Sequence, residues 1–193
     1  MTKENIANYI KEMVTYANNT SYKYYLMLAI LSIGKKYDIV SFEECGKELL
    51  VQAWNDVSDP GNYYSKTDKL KQIKNEILFK TSALEYMSND NLRSFLSEHE
   101  DTIIKSYYLD TVKVCIYRLL SYGQWNEILS NVQHHYKKNK LIKVMSQNEL
   151  CLYEIYDNYI VLNSVFFDVI NSDSDYYKNI VREELRHYLS RKK

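Results

Sequence analysis

The chain has 193 residues, enough for one well-packed domain whose core needs no metal or disulfide staple. Its 25 basic and 25 acidic residues cancel, so no global field draws it to nucleic acid or a membrane surface, and such binding would need a local patch. Only four glycines and one proline occur, which argues against turn-dense all-β folds and against the glycine loops that cradle phosphates.

Thr2 is placed to cap a first helix whose apolar positions Ile6, Tyr9, Ile10, Met13 and Val14 follow helical spacing, and Asn18, Asn19 and Thr20 end it. From Tyr22 to Ile33 the chain is apolar nearly all round, a pattern that a helix tolerates only when other elements surround it. Ser41 and Glu44 form an S-x-x-E capping box, after which Phe42, Cys45, Leu49, Ala53 and Val57 recur every three or four residues. Ser58 to Asn62, SDPGN, is a turn by composition, followed by a helix carrying Leu70, Ile73, Ile77 and Leu78. Helical pattern continues through Leu92, Phe95 and Leu96, then Leu109 to Leu120, then Trp125 to Val132.

The period changes after Lys140. Leu141 to Val144 and Leu150 to Tyr156 read as extended, Asp157 and Asn158 as a tight turn, and Tyr159 to Leu162 as a returning strand. Asn163 and Asp175 are then placed to cap two closing helices, the first carrying Val165, Phe166 and Val169, the second Ile180, Val181, Leu185 and Leu189. The expected fold class is therefore mainly α, a single multi-helix domain over 1–193: a helical core at 1–136, a loop and small β-hairpin at 137–163, and closing helices at 164–193.

Cys45, Cys115 and Cys151 are odd in number and lack CxxC spacing, against a disulfide framework or a cysteine zinc site. The N-terminal MTKENIANYIKEM has scattered charge and no apolar signal region, and no stretch reaches the ~18 apolar residues of a membrane span. A reduced, cytoplasmic setting without membrane contact is expected. The 20 tyrosines match an AT-rich coding bias, and they would also suit a protein interface, where the ring buries area at low entropic cost.

With these segments placed, SYKYYLMLAIL followed by VSFEECGKELLVQAWNDV resembles the N-terminal helical region of bacterial HNH endonuclease-family proteins. The residues that carry the likeness are Tyr22, Lys23, Tyr24, Leu28, Leu31, Phe42, Leu49, Ala53 and Trp54, with Asp68-Lys69-Leu70 and the hairpin Leu152 to Leu162 leading into Asn163. Such a nuclease needs a compact ββα unit in which one histidine activates water and others hold a divalent metal. His99, His134, His135 and His187 do not form one, so the resemblance implies the helical scaffold without the HNH module, and neither a catalytic residue nor a metal or cofactor site is assigned.

Four further features bear on function. His134 to Lys140 with Lys143 is the most basic run, and Lys137, Lys138, Lys140 and Lys143 are the candidate nucleic-acid contacts, although a solvated helix end explains the run equally simply. Arg182 to His187 fits R-x4-H and so resembles the motif of HEPN ribonucleases, all-helical enzymes that pair arginine and histidine across a dimer; on one helix these two residues stand about 140° apart. His99 with Glu98, Glu100 and Asp101 reads as an exposed acidic turn rather than a metal cluster. Trp54 reads as a core residue and Trp125 as an interface candidate. Together these point to a non-catalytic accessory subunit of a bacterial or phage-borne nuclease or antiviral defence complex, binding a protein partner such as a nuclease or ATPase subunit, with DNA as a candidate second partner. The alternatives are a metal-independent HEPN-like ribonuclease dimer and a standalone nucleic-acid-binding module.

Overall fold

A computed structural model describes residues 2–15, 21–62, 69–99, 153–156 and 158–190. Its elements are α1 (Lys3–Thr15), α2 (Tyr22–Ile33), β1 (Ile39–Ser41), α3 (Phe42–Ser58), α4 (Lys69–Lys80), α5 (Asn89–Glu98), β2 (Tyr153–Ile155), β3 (Tyr159–Leu162) and α6 (Ser164–Ser190). The fold is mainly α, with a small antiparallel sheet contributed largely by the C-terminal part of the chain. The helical and extended patterns between 100 and 152, Trp125 and the basic run among them, lie outside the described residues.

α2 is the axis of the molecule. Every residue from Tyr22 to Leu31 is buried, and α3, α6 and α1 pack around it. An all-round apolar helix cannot present any face to water without losing about 25 cal/mol per Å² of apolar surface, so the sequence of α2 itself demands neighbours on every side. α1 packs on α6 and on α2 and buries Ile6, Ile10 and Met13, with ion pairs Lys11–Glu184 at 2.8 Å and Lys3–Asp173 joining it to α6. Among the described residues, all six helices and the sheet contribute to one hydrophobic core.

Local signals act where the sequence places them. Thr2 Oγ1 accepts from Asn5 N, and at α3 both halves of the capping box form: Ser41 Oγ accepts from Glu44 N at 3.1 Å, while Ser41 N donates to Glu44 Oε2 at 3.0 Å. In the SDPGN turn, Asp59 Oδ1 accepts from Gly61 N at 2.7 Å. Asn163 Oδ1 accepts from Val165 N and starts α6. The interruption in α6 falls at Asp173 (φ −159°, ψ 47°), two residues before the expected cap at Asp175. Asp175 instead faces Lys35 and Lys178 with Oδ1.

The hairpin β2–β3 forms, and it gains a third strand from the N-terminal half, giving the order β1-β3-β2 with both pairings antiparallel. Val40 lies opposite Ile160, and Tyr153 opposite Leu162, all on the buried face. Two bonds beyond the strands, Leu162 N to Asp38 O and Phe42 N to Asn158 O, extend the ladder at either end.

Gly34 ends α2 where this sheet and α6 converge. A Cβ there would come within 2.8 Å of Leu162 Cδ1, 2.9 Å of Ile30 O and 3.1 Å of Ile170 Cδ1. The glycine serves close approach. Gly34→Ala is therefore expected to cost about 1–3 kcal/mol by overpacking, read as a lower urea midpoint with an unchanged slope.

Candidate functional site

Two surface features stand out from the fold. The first lies along the α4–α5 connection. Phe79 at the end of α4 is 89% exposed, and Leu84 and Tyr86 in the following segment are 65% and 56% exposed. The segment after α4 is held from beneath. Trp54 Nε1 donates to Leu84 O at 3.1 Å, the Asn55 side chain donates to Met87 O and accepts from Met87 N, and Tyr86 Oη donates to Ser58 O. The segment is thus bolted to the last turns of α3.

Lys74 is the centre of that clamp. It reads in KLKQIKNEILFK as one surface lysine among several, yet only 2% of it is exposed. Its Nζ donates to Trp54 O at 2.6 Å, to Glu85 O at 2.5 Å and to Ser58 Oγ, which uses all three ammonium protons. The same cation lies 4.6 Å from the Trp54 ring centroid and 5.6 Å from that of Tyr86. Burial pulls its pKa down to about 8, with Glu85 partly opposing the shift.

The second feature is an open groove of about 430 Å³ between α3 and α6, which make their main contacts with α2 rather than with each other. Leu28 of α2 and Leu185 of α6 supply apolar floor. Asp56 and Asp59 stand at one wall, at the end of α3; Arg182 and Arg186 stand at the other, one helical turn apart on α6. Burial holds the Asp56 carboxyl above the usual carboxylate range, and a hydrogen bond from Tyr25 Oη to Oδ2 at 3.0 Å offsets part of that shift.

Rows of residues with helical spacing lead to the groove. On α3, Glu48, Gln52 and Asp56 follow at intervals of four, and on α6 so do Lys178, Arg182 and Arg186. Arg93 of α5 grips Glu48 in a two-pronged pair, Nε to Oε2 at 2.9 Å and Nη2 to Oε1 at 2.8 Å, and Gln52 Nε2 donates to Glu48 Oε1. Burial and the neighbouring Lys35 and Arg182 charges push Lys178 down.

The candidate residues read from sequence fare differently. Arg182 lines the groove whereas His187 does not, and both are exposed, so one protomer does not bring the R-x4-H pair together. Lys137, Lys138, Lys140 and Lys143 lie outside the described residues, as do Glu100 and Asp101. His99 caps α5, stacks on Phe95 at 4.1 Å between centroids, and places Nδ1 2.9 Å from Phe95 O. Among the described residues, no group of three His, Cys, Asp or Glu side chains could hold a metal, and no helix is long and apolar enough to cross a membrane. Cys45 is buried, which pushes its thiol pKa up and keeps it in the unreactive protonated form.

No family model, curated protein or solved structure matches the chain.

The clamp gives a direct prediction. Lys74→Met leaves buried carbonyl acceptors without a donor and should lower stability by about 1–3 kcal/mol. The native amine loses its proton near pH 8 while the unfolded one holds it to 10.5, so the unfolded state binds more protons between these values. Lys74's contribution to stability therefore rises with pH across that window. Urea midpoints should separate wild type from Lys74→Met more widely near the top of the window than below it.

Proposed function

We propose that the chain is a non-catalytic accessory subunit of a bacterial or phage-borne nuclease or defence complex, and that it binds a protein partner through the α4–α5 surface. The observation that carries this reading is the exposure of Phe79 at the end of α4 beside Leu84 and Tyr86, the latter two on a segment that Lys74, Trp54 and Asn55 hold to α3. Large apolar side chains fixed in water are what a partner's pocket can cover, and a clamped segment loses little entropy on binding.

The likeness to HNH-family proteins supports the context rather than a reaction. Tyr22, Tyr24, Leu28, Leu31, Phe42, Leu49, Ala53 and Trp54, which carry it, are all buried in α2 and α3. Core residues report on how a scaffold packs, and a scaffold can serve a complex whose chemistry lies in another chain. Contact with DNA, the further part of the proposal, would rest on Lys137, Lys138, Lys140 and Lys143.

The test is co-expression with the products of adjacent genes, followed by size-exclusion chromatography. A stable complex is expected, and Phe79→Ser with Leu84→Ser should weaken it at least tenfold, about 1.4 kcal/mol, while leaving the melting temperature of the free chain unchanged. Metal-independent cleavage of RNA by the purified chain, lost in His187→Ala, would overturn the accessory reading in favour of a ribonuclease.

A further inference from the structure

The groove between α3 and α6 has walls of opposite character. At Asp56, Oδ2 is taken by Tyr25 Oη and Oδ1 is left over; at Asp59, Oδ1 is taken by Gly61 N and Oδ2 is left over. This wall offers carboxylate acceptors. The facing wall offers only donors, because a guanidinium has no lone pair to give. Among the described residues, no ion pair within 4.0 Å joins Asp56 or Asp59 to Arg182 or Arg186. Oppositely charged walls therefore face each other across open space without closing.

From this arrangement we infer that the groove binds a small zwitterion of the basic amino-acid type, with its carboxylate on Arg182 and Arg186, its cationic end group on Asp56 and Asp59, and its methylene stem over Leu28 and Leu185. Two carboxylates against two guanidiniums make the site balanced in charge, so a ligand carrying a single sign is attracted by one wall and repelled by the other. A ligand with separated charges is attracted by both. Arginines one turn apart suit a carboxylate, which accepts parallel N–H bonds from a guanidinium fork. The apolar floor suits an alkyl chain running between two charged ends. A volume of about 430 Å³ lies within the range of small-molecule sites. The inference stands apart from the accessory role, which concerns a different surface.

Isothermal titration of the full chain with L-arginine, L-lysine, agmatine, inorganic phosphate and AMP tests it. Arginine or lysine should bind saturably, and agmatine, which keeps the guanidinium and stem but lacks the carboxylate, should bind at least tenfold more weakly than arginine. Asp59→Asn keeps the Oδ1 that receives Gly61 N, so it should preserve the melting temperature while weakening binding of the amino acid at least tenfold. Arg186→Gln should weaken arginine without weakening agmatine. A tripeptide ending in arginine distinguishes a free amino acid from a chain terminus of the same chemistry. The inference is overturned by absence of saturable binding of arginine, lysine or that tripeptide at millimolar concentration, by equal affinity in Asp59→Asn, or by phosphate or AMP binding more tightly than the amino acids.

Discussion

The rest of the structure depends on burying α2 on all sides. Tyr24, Tyr25, Leu26, Met27, Ala29, Ile30 and Leu31 are fully enclosed. Helix propensity alone would not hold so short an element in water, so its stability comes from the neighbours that cover it. The polar atoms that enter with it find partners. Tyr25 Oη donates to Asp56, Tyr22 Oη accepts from Lys69 N, and Ser32 Oγ donates to Leu28 O. Tyrosine suits this position because its ring fills the core while its hydroxyl reaches the next helix.

That constraint also shapes the surface. Because α3 and α6 dock on α2 more than on each other, a groove remains between them with a different charge on each wall. α3 also receives α4 and α5, and at the α4 contact Lys74 joins three parts of the chain through one ammonium group. A buried cation is costly to desolvate, and full hydrogen bonding with two aromatic faces offsets that cost. The exposure of Leu84 and Tyr86 follows from this packing, since the clamp fixes the segment that carries them.

What was legible in the sequence was local. The capping box at Ser41 and Glu44, the cap at Asn163 and the apolar period of α3 each depend on residues within one or two turns, so each could be read without knowing the fold. β1 could not. Ile39, Val40 and Ser41 make too short a run to signal a strand, and they become one only by pairing with Tyr159 to Val161. The same holds for Lys74, whose burial is decided by Trp54, Ser58 and Glu85 in other segments. Sequence spacing pairs Arg182 with His187, whereas its structural companions are Arg186 one turn away and Asp56 across the groove. The row Lys178, Arg182 and Arg186 was visible at helical spacing, and so was Glu48, Gln52 and Asp56. Nothing in the sequence said that the two rows lead to opposite walls of one groove.

Hydrogen exchange followed residue by residue tests the central claim that the fold is organised around an enclosed α2. Amides from Leu26 to Leu31 should exchange only through global unfolding, with the same free energy as denaturant unfolding, while those of α1 and α5 should open at lower cost. Exchange of the α2 amides at the rates seen in α1, or their opening while α3 and α6 remain protected, would contradict it.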